Sequence, residues 1–508
     1  MSIYSSYWGK ALPDEQAGQP FHSFACHSLD VIAVGMRWLG ESRALAQRML
    51  TGEGDEEATR AWLSFFLGLH DLGKLDQRFQ CKAPHVVELL APERVVMLTK
   101  LAARSYRYDH GLEGFRWAFA ELSEYLDLDE EGEDSYSDAW RPWLAAVTGH
   151  HGVLPRNTEP PNAVSLPPPL RKTDRAARRS WVKTLEAMLL TPAGLSLRDI
   201  PPPMPELLAG FCSVADWLGS NTEYFPYTGD APVELAEYLK ERQERAAVVL
   251  RASGLIGKTL SVGGMQSLFP ERDPRQVQTL VDELPRTAGM TLVEAPTGSG
   301  KTEAALAYAA HLLADGLADS IVFALPTQAT ANAMLRRLEA VANRLFPGDG
   351  ANVVLAHGKS RYNPDFIALQ QAARANTVQS ENEALVQCAR WLSQSRKRAF
   401  LGQIGVCTID QVLLGVLPVR HNFVRNFGVG RSVLIVDEVH AYDSYMYGLL
   451  EEVLQRQRRA GGSAVLLSAT LPYLQRRRLA AAWTPDIRLE RASPYPLLTH
   501  VNAVGQAV

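Results

Sequence analysis

The sequence predicts two domains of different class: an all-α domain, then an α/β domain with a mainly parallel sheet. Three observations carry this. Up to about Tyr227, apolar residues recur at i, i+3 and i+4, as in LDVIAVGMRWL and TRAWLSFFLGLHDLG. From about Ser261, short apolar runs alternate with amphipathic stretches, the pattern of strands joined by helices. The chain has 508 residues, 46% of them apolar, and is too long for a single core.

In chain order, the helical domain is expected over 1–227. Within it, DLDEEGEDSYSD (Asp127 to Asp138) reads as an acidic, solvated loop and NTEPPNAVSLPPPLRK as an extended, proline-rich connection. LAEYLKERQERAAVVLRASG reads as a charged helix inside a linker over 228–260. The second domain is expected over 261–490, with TLVEAP, SIVFALP, NVVLAH, QIGVCTI, SVLIVDE and SAVLLSAT as its buried strands. Residues 491–508 are expected to start a further connection. A net charge of −4 gives no global basic signal. Cys26, Cys81, Cys212, Cys388 and Cys407 are scattered, which suits a reducing compartment rather than a disulfide framework. MSIYSSYWGK lacks the apolar core of a signal peptide, and no run reaches membrane-spanning length, so a soluble, intracellular protein is expected.

APTGSGKT stands between the strand-like TLVE and the helical EAALAYAAHLL, the context of a phosphate-binding P-loop. Ala295, Pro296, Thr297, Gly298, Ser299, Gly300, Lys301 and Thr302 would surround the phosphates of ATP with backbone N–H groups at a helix N-terminus. Lys301 would reach the β- and γ-phosphates and Thr302 the Mg²⁺. SVLIVDEVH ends an apolar strand in Asp437 and Glu438, which places carboxylates at the sheet edge beside the phosphates. Asp437 would hold Mg²⁺ and Glu438 would orient the attacking water. SAT (Ser468, Ala469, Thr470) closes the next strand.

Histidines cluster in the first domain: His22, His27, His70, His85, His110, His150 and His151. Five lie in settings that suggest ligands: FACHSLDVIAVG (His27), LHDLGK (His70, with Asp71), YDHGLEG (His110) and TGHHGVLP (His150 and His151). SVADWLGSN adds Asp216. Adjacent residues on a helix point about 100° apart, so a His-Asp or His-His doublet can address two neighbouring metals. A carboxylate can bridge such a pair, which activates water and neutralises a phosphate together. Imidazole and carboxylate without nearby cysteine suit Mn, Fe, Co or Ni rather than a structural zinc.

The second domain resembles superfamily 2 helicases of the DExH type. The shared stretches are the P-loop, ALPTQATANAM, GVCTIDQVLLG, DEVH and SAT, with PRQVQTLVDEL resembling their adenine-reading motif. The resemblance implies a RecA-like fold, an adenine contact from Gln278, with Gln276 as the alternative, and a single-strand DNA track lined by Pro326, Thr327, Gln328, Thr408 and Gln411. Helix capping is the plain alternative for the last set. Nothing resembling the later helicase motifs follows. The second RecA-like lobe is expected to be absent or separate, leaving this chain alone with little ATP hydrolysis.

The order His…His-Asp…His…His-His…Asp resembles HD-type phosphohydrolases in their two-metal nuclease form. By that resemblance His27, His70, Asp71 and Asp216 hold one metal, and Asp71 bridges to a second held by His110, His150 and His151. Lys74 could hold the scissile phosphate; Ser220 and Asn221 could touch substrate. His22 and His85 are expected as surface or capping residues. An HD nuclease followed by a DExH helicase resembles the helicase–nuclease effectors of type I CRISPR systems, most closely the subtype I-E branch. That resemblance implies metal-dependent cutting of single-stranded DNA, ATP-driven 3′–5′ translocation and recruitment by an RNA-guided surveillance complex. A repair or RNA-processing nuclease–helicase, or a docking module without motor activity, are the alternatives. RKTDRAARRSWVK, with Trp181, reads either as a backbone-and-stacking track or as a solvated helix face. SRKRAF and LQRRRL are equally open.

Overall fold

The computed structural model describes residues 2–13, 18–50, 55–95, 98, 108–126, 133–156, 166–229, 234–347, 351–376, 389–393, 398–491 and 494–502. The chain forms two compact units. One comprises Met1–Gly40 and Leu50–Val249, the other Glu41–Met49 and Leu250–Val508.

The first unit is helical, with one small sheet that periodicity did not announce. Strands β1 (Trp8–Ala11) and β2 (Phe21–Ser23) pair antiparallel, with an irregularity between Trp8 and Lys10. Gly9 lets β1 close on the next helix: a Cβ there would lie 3.0 Å from His27 Cβ and 3.2 Å from Phe24 Cα. The helices that build the site are α1 (Phe24–Glu41), α3 (Glu56–Leu67), α4 (His110–Ala120), α5 (Glu133–Thr148), α6 (Pro168–Leu185) and α7 (Leu208–Gly219), with α2 (Arg43–Leu50) between α1 and α3 and α8 (Leu235–Ala252) after α7. Asp55 caps α3 by accepting from Glu57 N at 3.3 Å, and Asp109 caps α4 by accepting from Gly111 N at 3.0 Å. Aromatic rings fill the core between α3 and α5, with Phe66 and Trp143 stacked at 4.8 Å between centroids.

Three expectations change here. Residues 133–138, read as a loop, begin α5; Trp140 and Trp143 are buried on one face and hold that helix down (residues 127–132 lie outside the described set). Pro168 to Lys172, read as extended, form the first turns of α6, where proline costs no hydrogen bond. Trp181 is not a stacking platform: it is fully buried, donates to Gly68 O at 2.9 Å and packs edge-on against Phe24. Arg178 of the same helix is also buried, paired with Glu121 and donating to Leu75 O at 2.8 Å. Residues 395–397, the first half of SRKRAF, lie outside the described set.

In the second unit, seven strands form one sheet in the order β5-β6-β4-β7-β8-β3-β9. They are β3 (Gly289–Glu294), β4 (Ser320–Leu325), β5 (Val353–Ala356), β6 (Ile404–Thr408), β7 (Ser432–Val436), β8 (Ser463–Ser468) and β9 (Leu497–Asn502). The six expected strands are parallel and buried throughout, which is why each reads as an unbroken apolar run. Residues 497–502, expected as the start of a connection, instead add β9 antiparallel to β3, burying Thr499, His500 and Val501. Helices α9 (Lys301–Ala314), α10 (Gln328–Leu345), α11 (Ser444–Arg459) and α12 (Tyr473–Trp483) flank the sheet's connections. Helix α2 belongs to this unit, although its sequence lies within the first 227 residues. Arg48 donates to Leu317 O at 2.5 Å and to Gly430 O, and Ser42 Oγ donates to Asp319 Oδ2 at 2.5 Å. Among the described residues no helix is long and apolar enough to cross a membrane.

Candidate metal centre and nucleotide site

Helix α3 ends at Leu67, and His70 and Asp71 lie in the turn that follows, not in the helix itself. Lys74 ends the next tight turn, Leu72–Lys74. Glycines bring the other elements close. A Cβ on Gly73 would fall 2.0 Å from His110 O, so the turn rests directly on the backbone of α4. A Cβ on Gly111 would fall 2.5 Å from Thr148 O, which seats α4 on the end of α5 and the turn Gly149–His151. His27 enters from the first turn of α1 and Asp216 from α7.

Asp71 sits at the centre. Its Oδ2 lies 2.9 Å from His27 Nε2 and 3.2 Å from His70 Nε2; its Oδ1 lies 3.3 Å from His110 Nε2 and 3.6 Å from His150 Nε2. Asp216 Oδ1 is 3.4 Å from His27 Nε2 and 3.8 Å from His70 Nε2. His151 Nε2 lies 2.7 Å from His110 Nε2. Two donor groups result: His27, His70, Asp71 and Asp216, and Asp71, His110, His150 and His151. Within each group one ligand atom per residue lies within 4.8 Å of the others. The first group is buried throughout, whereas His151 of the second is exposed.

The chemistry of these donors fits divalent cations. His70 Nδ1 and His150 Nδ1 lie 2.8 Å from the carbonyls of Leu67 and Val147. Each carbonyl can only accept, so Nδ1 carries the proton and Nε2 turns its lone pair inward. That inward Nε2 of both rings, both nitrogens of His27 and Asp71 Oδ1 are buried without a hydrogen-bond partner, while Asp71 Oδ2 has the Lys74 ammonium beside it. So many orphaned lone pairs around one point would be costly unless a cation satisfied them. Burial, followed for His27 by the nearby Lys10 and Lys74, depresses His27 and His110 to about 4. Burial also depresses His150 well below the usual value. These rings are therefore neutral at neutral pH and available as ligands. Burial alone would raise Asp71 and Asp216. The Lys74 ammonium instead holds Asp71 well below the usual carboxylate range, and the Lys10 ammonium does the same for Asp216.

The surrounding residues have definite places. Ser220 Oγ donates to Asp216 Oδ1 at 3.1 Å, and Asn221 accepts from Glu223 N at 3.1 Å within its own turn. His85 reaches Leu12 O at 3.0 Å. His22 is not on the surface: it is buried, with Nε2 2.8 Å from Asp30 Oδ2 and its ring stacked on Tyr227. Asp30 and Tyr238 give it a buried polar neighbourhood that one sequence position could not reveal. Sequence reasoning missed Lys10, whose Nζ stands 3.9 Å from Asp216 Oδ1.

In the second unit the P-loop joins β3 to α9. Gly298 and Gly300 adopt φ of 79° and 91°, which side-chain-bearing residues rarely tolerate. Lys301 Nζ donates to Ala295 O at 2.7 Å and to Pro296 O at 3.1 Å, folded over its own loop. Gln278 donates to Gly300 O at 3.3 Å and accepts from Arg275 N at 2.8 Å, while Gln276 is exposed. Strands β7, β8 and β3 are neighbours, so DEVH, SAT and the P-loop leave the same edge of the sheet. Burial and the adjacent Glu438 raise Asp437. Glu438 takes a left-handed φ of 53° that turns it away from the strand. Of the expected DNA-track residues, Gln328 is exposed and Thr327 caps α10 by accepting from Thr330 N at 3.2 Å, whereas Thr408 and Gln411 are buried.

Residues 8–225 match the Cas3 HD domain family, and residues 274–478 match the DEAD/DEAH box helicase family. The chain is 46% identical over 510 residues to the CRISPR-associated endonuclease/helicase Cas3 of Escherichia coli strain K12, covering 97% of this chain and 57% of that protein. It is 35% identical over 515 residues to the equally described protein of Thermus thermophilus, covering 97% and 53%. Among solved structures, the crystal structure of T. fusca Cas3-ADP superposes with a TM-score of 0.77 at 26% identity, covering 99% of this chain and 56% of that chain. The chain thus spans about half the length of the curated relatives it matches. The chain therefore carries a Cas3 HD domain followed by a DEAD/DEAH box helicase domain, and is similar in this order to the Cas3 proteins it matches.

Proposed function

We propose that the chain contributes a metal-dependent single-stranded DNA nuclease and the first lobe of an ATP-dependent 3′–5′ DNA helicase to type I CRISPR interference. In this reading it works in the prokaryotic cytoplasm after recruitment by an RNA-guided surveillance complex, with a second helicase lobe completing the motor. The observation that carries the nuclease half is Asp71, whose two oxygens face two separate sets of histidines.

Two divalent ions, from among Mn, Fe, Co and Ni, would supply phosphate neutralisation and an activated water. His27, His70, Asp71 and Asp216 would hold one and Asp71, His110, His150 and His151 the other. The chain's own part is to present lone pairs without rearrangement. Backbone carbonyls orient His70 and His150, Ser220 orients Asp216, and burial keeps water from the inner set. The exposed His151 leaves the outer set open to a strand of DNA. In the helicase half, the P-loop from Ala295 to Thr302 would cradle ATP. Lys301 would leave its loop carbonyls for the phosphates, Thr302 and Asp437 would hold Mg²⁺, and Glu438 would orient water. Gln278 reads here as a brace for the P-loop as well as the adenine contact.

The test is cutting of circular single-stranded DNA by the purified chain with Mn²⁺ or Co²⁺ and no ATP. Cutting by the wild type and none by Asp71→Ala is the expected result. Equal degradation by both, or none by either, would remove the nuclease reading.

A further inference from the structure

We propose that Lys10, not Lys74, is the cation that receives the scissile phosphate, and that Lys74 is a positioning residue. The proposal rests on the nuclease reading above.

Lys74 has little left to offer a substrate. Its side chain is 4% exposed, it pairs with Asp71 Oδ2, and it donates to Gly9 O at 2.9 Å. The Phe79 ring covers it at 5.6 Å. An ammonium has three donors; two are committed, and an aromatic ring stands beside the group. Drawing Lys74 to a phosphate would break both contacts and leave Asp71 without its buried counter-charge.

Lys10 is placed the other way. Its side chain is 28% exposed, and its Nζ stands 3.9 Å from Asp216 Oδ1, too long for a hydrogen bond and close enough to hold the charge at the site. A phosphodiester approaching Asp216 would meet that ammonium directly. Gly9 links the two lysines. Its carbonyl accepts from Lys74, and its missing Cβ lets β1 lie against His27. Lys74 therefore pins the strand whose next residue is Lys10. The irregularity in β1 between Trp8 and Lys10 falls on this segment, where a bulge re-aims a side chain.

The experiment compares Lys10→Ala, Lys10→Arg and Lys74→Met in the Mn²⁺-loaded chain, using a labelled single-stranded oligonucleotide. Lys10→Ala is expected to lower kcat/KM about tenfold, with Lys10→Arg recovering most of it. Bound Mn per chain, read by elemental analysis, is expected to stay at the wild-type level in Lys10→Ala. Without divalent metal, the slope of log Kd against log salt should fall by roughly 0.7, one phosphate contact on a single strand. Lys74→Met is expected to lose Mn and melt earlier with that slope unchanged. An unchanged slope in Lys10→Ala, or loss of its Mn, overturns the assignment. So does a reduced slope in Lys74→Met with full Mn. If the wild type itself cuts nothing, the nuclease reading fails. The salt slope, which needs neither metal nor turnover, still decides between the two lysines.

Discussion

Ser468 Oγ lies 3.1 Å from Nδ1 of His440, a hydrogen bond that ties the turn after β8 to the turn after β7. The same serine's carbonyl accepts from Ala295 N at 3.2 Å, so SAT touches both DEVH and the P-loop. Removing only the hydroxyl should separate these roles. Ser468→Ala is expected to cost about 1 kcal/mol in unfolding experiments. Affinity for a fluorescent ADP analogue should stay near wild type, because the backbone bond to Ala295 survives.

The two donor sets share one residue and otherwise differ, which makes metal stoichiometry informative. His151→Ala is expected to reduce bound Mn from about two ions per chain to about one, leaving the inner set filled. Asp71→Ala should empty both positions. Elemental analysis after dialysis against a weak chelator reads the difference directly.

Trp181 offers a test of core against surface. Its indole is buried and donates to Gly68 O. Trp181→Phe is expected to cost about 1 kcal/mol, or roughly 2–4 °C in melting temperature. Single-stranded DNA affinity should be unchanged; a marked loss of it would restore the stacking role.

His500 gives the second unit an acid limb. Burial in β9 depresses its pKa to about 4, with Thr291 Oγ1 2.9 Å from Nδ1. The folded state holds the ring neutral, while the unfolded chain takes up a proton near 6.5. The stabilising difference is therefore complete above pH 6.5 and shrinks as pH falls toward 4, by up to about 3 kcal/mol. Urea unfolding at pH 7.5, 6 and 5 should show this loss, and His500→Gln should lessen it, the depressed rings of His27, His110 and His150 keeping their own share.

The motifs were legible because they bind order to chemistry. A P-loop between a strand and a helix, or a histidine series broken by two aspartates, is rare enough to be read from one chain. The parallel strands were legible because burial on both faces leaves uninterrupted apolar runs. What escaped depends on distance in three dimensions. Lys10 reaches Asp216 across more than two hundred positions of sequence, and no local pattern marks that approach. β9 hides because LLTHVN is a short, mixed stretch whose pairing with β3 is decided by the fold. Trp181 and Arg178 sit among exposed cations on α6, so composition suggested a basic face where the helix in fact turns two large side chains inward. His22 likewise needed Asp30 and Tyr238 to show that it is buried.

The placement of α2 bears on how the protein can be taken apart. The chain leaves the first unit after Gly40, contributes Glu41–Met49 to the second, and returns at Leu50. One polypeptide therefore passes from unit to unit three times, and no single scission divides them. A fragment ending near residue 227 would carry Arg48 away from the Leu317 and Gly430 carbonyls it serves. The complementary piece would be left with those acceptors uncovered. Cloning the halves separately is thus a perturbation of both, and a circularly permuted or α2-looped-out version would be the gentler dissection.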